Sequence, residues 1–133
     1  MEPYKKQKLS TPEEFPMAFV NAWNNRDAYE IIELFDESAE LENVEDMWKH
    51  KNKEFYNAYE NGVKFNFKEV KLSIVSADTK FVTNSIAEVK TNIQLQPLPS
   101  AKTKISARKE LFSFVLQHTE DDWLCMALTL GSR

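Results

Sequence analysis

The stretch from Thr11 to Phe35 has a helical hydrophobic period in a chain that is otherwise mostly strand, and that limits what it can fold into. From Thr11 to Phe35 the apolar residues recur at helical spacing, and beyond Phe35 most of the chain alternates at the spacing of strands. The stretch TPEEFPMAFVNAWNNRDAYEIIELF predicts two short amphipathic helices joined by a polar turn and lying over a sheet. Thr11 is placed to cap the first, with Pro12 at the first helical position and Glu14 where a capping box needs a carboxylate. Phe15, Ala18, Phe19, Ala22 and Trp23 form its apolar stripe, and Asn24 and Asn25 end it. Asp27 caps the second helix, with Glu30 at its capping-box position and Ala28, Ile31, Ile32 and Phe35 as its stripe. Phe19, Trp23 and Phe35 therefore read first as core.

Ala39, Leu41 and Asn43 alternate with Glu40 and Glu42, which predicts a short strand with one wet face. A turn over 44–46 and a second short strand at Met47 and Trp48 come next. A third helix is expected from about His50 to Asn61, with Gly62 ending it in the left-handed conformation. The remainder predicts a four-stranded antiparallel meander, over about Lys64–Val75, Phe81–Leu95, Thr103–His118 and Trp123–Leu130. Phe65 and Phe67 share one parity while Val70, Leu72 and Ile74 have the other, which predicts a bulge near Lys68 and Glu69 or a strand that bends. In the second of these strands the odd positions Phe81, Thr83, Ser85, Ala87, Val89, Thr91, Ile93 and Leu95 make one row, and the even positions are mostly polar. Residues 1–9 are expected to be a flexible arm and 10–133 a single domain, since 133 residues suit one core.

Several function classes are disfavoured. Only two glycines are present, Gly62 and Gly131, so no Walker loop or dinucleotide fingerprint can be built. A formal net charge of -4 argues against a nucleic-acid-binding face. The single cysteine, Cys125, permits no internal disulfide. The N-terminal ten residues lack an apolar signal core, and no apolar run approaches the ~20 residues of a membrane span, so a cytoplasmic protein is expected.

The last two strands are apolar on both faces. Phe112, Phe114 and Leu116 oppose Leu111 and Val115, while Leu124, Met126 and Leu128 oppose Trp123, Cys125 and Ala127. A sheet with one wet face should alternate, so a second cover is expected, most simply a homodimer partner on the outer sheet face.

The order of helices and strands, with FVNAWNNRD at Phe19–Asp27, IELF at Ile32–Phe35, DESA at Asp36–Ala39 and Asp122-Trp123-Leu124 near the end, resembles the nuclear transport factor 2-like superfamily. Within it the chain looks like the SnoaL-like branch of polyketide cyclases and ketosteroid isomerases. The resemblance implies an α+β, cystatin-like cone of three N-terminal helices on a curved, mostly antiparallel sheet, with an apolar cavity between them. In the isomerases a helix tyrosine and a strand acid hold the oxyanion and an aspartate moves the proton. The resemblance puts these positions at Phe19, near Ser113 and at Asn43: Phe19 has no hydroxyl to donate, Asn43 cannot serve as a carboxylate base, and Ser113 is a weaker donor than a protonated acid.

Other chemistry is sparse. His50 and His118 lie in charged surroundings that suit solvated side chains, and they lack metal-ligand spacing. Glu37, Glu40, Glu42, Glu45 and Asp46 lack the calcium-loop pattern. Lys102, Lys104, Arg108 and Lys109 form a small basic cluster of the kind exposed strands carry. Cys125 sits among apolar residues and reads as an inert buried thiol. No cofactor or metal is expected. Phe19, Trp23, Phe35, Trp48, Tyr59 and Trp123 are candidates to line an apolar pocket, with Asn43 and Ser113 as its polar points. The expected activity is binding of a small, largely apolar molecule. An isomerase, cyclase or lyase, or an interaction module with a closed cavity, are the alternatives.

Overall fold

The computed structural model describes residues 8–42, 70–97, 99 and 107–131. A turn of 3-10 helix, Pro12–Glu14, leads into α1 (Phe15–Asn24), and α2 (Ala28–Glu33) comes after it. The strands are β1 (Phe35–Glu42), β2 (Val70–Thr83), β3 (Ile86–Pro97), β4 (Arg108–Thr119) and β5 (Asp122–Leu130), in the sheet order β1-β5-β4-β3-β2. β2 to β5 form the antiparallel meander, and β1 joins parallel to β5. The third helix, the short strand at Met47 and Trp48 and the bulge near Lys68 lie outside the described residues. No helix among the described residues is long and apolar enough to cross a membrane.

The helix ends obey local chemistry. The Glu14 carboxylate accepts the Thr11 amide at 2.9 Å and its hydroxyl at 3.1 Å. The Asp27 carboxylate accepts the Glu30 amide at 3.0 Å. Between them α1 closes in a Schellman motif. The Asp27 amide donates to the Ala22 carbonyl at 2.9 Å and the Arg26 amide to that of Trp23 at 3.0 Å, with Arg26 left-handed at φ 57°. Phe35, expected in the stripe of the second helix, instead opens β1. The carbonyl just before it, on Leu34, accepts the Cys125 amide of β5 at 2.9 Å, so the chain is already committed to the sheet.

α1 buries Phe15, Phe19, Val20, Ala22 and Trp23 against the sheet, while Met17 faces water. The sheet contributes Val70 and Leu72 from β2, Ala87, Val89, Ile93 and Leu95 from β3, and Phe112, Phe114 and Leu116 from β4. The inward row of β3 follows the expected alternation from Ala87 to Leu95, whereas Phe81 and Thr83, expected in the same strand, belong to β2, and Ser85 lies in the turn. Leu9, at the end of the expected arm, is buried, and its amide donates to Asp122 Oδ1 at 2.9 Å. Residues 1–7 of that arm lie outside the described residues.

Two features differ from the expected pattern. β2 continues past Val75 to Thr83, and the hairpin turns at 84–85. Its outer half is mostly exposed, Phe81 and Val82 included. It is held by pairing with β3, which sets Asp78 opposite Lys90 and Lys80 opposite Glu88. In β5 the buried residues are Trp123, Cys125, Leu128 and Leu130, not a single parity. Val115 pairs with Ala127 and Leu116 with Cys125, so Met126 is an extra residue that turns the next side chains to the other face.

Phe81 of β2 meets Trp123 of β5 at 5.9 Å between ring centroids. β3 and β4 lie between these strands, and a flat sheet would hold the two positions roughly 14 Å apart. The two long side chains therefore lean towards each other over the strands between them. Ala87, in register with Phe81, leaves the room that a larger residue would fill.

Candidate functional site

The interior between α1 and the sheet is an aromatic layer centred on Phe19. Its ring lies 5.4 Å from Phe114, 6.0 Å from Phe112, 6.2 Å from Phe35 and 6.5 Å from Trp23. Phe15 adds tilted contact with Phe114 at 4.9 Å and an edge contact with Phe35 at 6.1 Å. Thus Phe19, Trp23 and Phe35 come together as expected, on one continuous apolar wall. The Trp23 indole is tied in place, its Nε1 donating to the Val70 carbonyl at 3.0 Å.

Among the described residues, three buried polar groups have no hydrogen-bond partner: the Thr91 hydroxyl, the Ser113 hydroxyl and the Trp123 indole nitrogen. They do not share one place. Thr91 is fully buried on the helix-covered face, opposite Ala77 on one side and Phe112 on the other. Trp123 lies on the same face towards the β4–β5 turn, where its ring stacks on His118 at 4.9 Å and meets Phe81 edge-on. Ser113 lies between Phe112 and Phe114, both of which face Phe19, so strand alternation turns it to the outer face beside Lys90 and Thr129. It is not brought to the aromatic layer. Asn43, Trp48 and Tyr59, like His50, Lys102 and Lys104, lie outside the described residues.

Thr91 is not among the expected site residues, although the sequence carries a signal for it. It is the one hydroxyl in the row Ala87, Val89, Thr91, Ile93, Leu95. A buried donor left unmade costs about 1–3 kcal/mol, so a threonine at the centre of such a row asks for a partner.

The ionisable groups flank this layer. Arg108 Nε donates to Glu110 at 2.8 Å at one end of β4, and His118 stands exposed at the other. Lys109 and Glu40 face water. The Cys125 thiol donates to the Ala127 carbonyl at 3.1 Å, and full burial pushes its pKa far above the usual thiol range. It is a packing group, not a nucleophile. Asp36 accepts both the amide and the hydroxyl of Ser38, which hold its carboxyl below the ordinary value of 3.8.

No family model matches the sequence, and no curated protein matches it significantly. Solved structures match its fold. A protein with a cystatin-like fold from Caulobacter vibrioides superposes with a TM-score of 0.67 at 14% identity, over 90% of this chain and 84% of that one. A nuclear transport factor 2-like protein of unknown function from Shewanella oneidensis gives 0.61 at 18% identity, over 90% and 95%. A Novosphingobium aromaticivorans protein named provisionally as a scytalone dehydratase gives 0.66 at 11% identity, over 89% and 78%.

Proposed function

We propose that this chain, whose fold is the cystatin-like fold of the nuclear transport factor 2-like superfamily, binds a small, largely apolar molecule between its helices and the covered face of the sheet. The observation that supports this is Thr91, a fully buried hydroxyl without a partner beside an aromatic wall. A mostly apolar enclosure with a few fixed polar groups is how small-molecule sites are built. Phe19, Trp23 and Phe35 supply the wall, Thr91 the central polar contact and the Trp123 indole a second donor towards one end. Asn43, Trp48 and Tyr59 complete the lining in this reading, within a closed cone. The ligand class is an apolar skeleton carrying one oxygen acceptor. The apolar outer face, with Leu111, Val115, Leu124 and Met126 half-buried, serves as the homodimer surface, and the protein works in the cytoplasm.

The test is thermal unfolding of the wild type and of Thr91→Val against a panel of small apolar ketones, phenols and lactones. Binding to the native state raises the midpoint with ligand concentration. The expected result is a shift in the wild type that shrinks strongly in Thr91→Val. A shift equal in both would remove Thr91 from the site.

A second reading has its own observation. The rings around Phe19 interlock, and Phe19, Phe112 and Phe114 are each fully buried. A panel that shifts neither protein favours this closed interior and an interaction module. An isomerase, cyclase or lyase gains no such support. The Arg108–Glu110 pair, whose carboxylate is taken up by the arginine, and His118 stand at opposite ends of β4.

A further inference from the structure

Among the described residues no strand pairs with the outer edge of β2, and this edge is shaped to pair with another copy of itself. The direction of its backbone groups is set by one contact. Both the N–H and the C=O of Leu72 are engaged by Asn24, so they point away from β3. Leu95, opposite Leu72, therefore directs its groups to β4, and by alternation the even residues of β3 bond to β2. Lys90 and Glu88 are among these, so their partners Asp78 and Lys80 bond inward. The intervening residues Ala77, Thr79 and Phe81 present their N–H and C=O groups at the open edge. No helix among the described residues covers them, and Phe81 is 51% exposed. Shifts of register at Val75 and Val82 bound this regular stretch, and those two side chains are 50% and 61% exposed.

We propose that β2 pairs antiparallel with β2 of a second copy, about a two-fold axis through Thr79. Hydrogen bonding across the edge requires odd residues to face odd residues, which leaves a small choice of registers. A two-fold through Asp78 would set that carboxylate against its own copy, and one through Lys80 would do the same to the ammonium. Like charges directly opposite destabilise a sheet. The two-fold through Thr79 sets Asp78 against the partner's Lys80, and Lys80 against the partner's Asp78. It also sets Phe81 against the partner's Ala77, large against small. The result is one continuous sheet with both helix-covered faces on the same side. This surface is separate from the outer sheet face.

Two variants test it. Thr79→Pro removes an amide that faces the open edge, so it breaks the intermolecular ladder while sparing the bonds to β3. Thr79→Cys places a thiol next to its own copy across the two-fold, within disulfide reach, while Cys125 stays buried. The expected results are a mass by light scattering that halves in Thr79→Pro and an interchain disulfide in oxidised Thr79→Cys, with none in Ala77→Cys. A folded Thr79→Pro with unchanged mass, or a Thr79→Cys that stays uncrosslinked at high concentration, would overturn the proposal. Should Thr79→Pro fail to fold, the crosslink decides alone.

Discussion

Asn24 closes the edge of β2 at Leu72. Its side-chain amide donates to the Leu72 carbonyl at 2.8 Å, and its oxygen accepts the Leu72 amide at 3.0 Å. A residue at the end of α1 thus acts as a short piece of strand, and with Trp23 on the Val70 carbonyl it fixes the helix over the sheet. Asn24→Ala removes both bonds and leaves two strand groups to water. The expected loss is about 1–2 kcal/mol, read as a lower urea midpoint with an unchanged slope. Asn24→Asp should lose more at neutral pH, because its carboxylate faces the Leu72 carbonyl.

Arg26 holds a left-handed conformation that glycine adopts without strain. Its side chain is exposed and the Schellman bonds around it are made by backbone. Arg26→Gly is therefore expected to raise stability by roughly 0.5–1 kcal/mol, read from thermal or urea unfolding.

Thr91→Val has a consequence beyond ligand binding. The substitution keeps the shape and removes a buried hydroxyl that bonds to nothing. The ligand-free variant should be more stable than the wild type by about 1 kcal/mol or more. A less stable variant would mean that the hydroxyl has a bonded partner in solution.

Asp36 supplies a pH signature. Its folded pKa is depressed by the two bonds from Ser38, so its contribution to stability is present above the unfolded value and is lost as pH falls through the folded one. Ser38→Ala should be less stable than the wild type at pH 7. The difference should shrink below about pH 4, the ordinary carboxylate range, and vanish once Asp36 is protonated in both proteins. Asp36 is partly exposed, so the effect is small and is best read by comparing midpoints across pH.

The helix starts at Thr11 and Asp27 and the inward row of β3 are legible in the sequence, because each depends on groups a few residues apart. A capping carboxylate reaches three residues, and strand alternation has a period of two. The burial of Phe19 and Trp23 was legible for the same reason, whereas Phe35 read as helical and stands at the start of β1. Tertiary structure decided the rest. In β5 both faces are apolar, so nothing local marks Met126 as the extra residue, and only pairing with β4 reveals it. The outer half of β2 is mostly polar and reads as an end until its charges are set opposite those of β3. Asn24 gives no sign of its bond to Leu72, 48 residues away. Thr91 shows the division most plainly: its parity put it inside, but that its hydroxyl would find no partner there depended on side chains from distant strands, which periodicity does not encode.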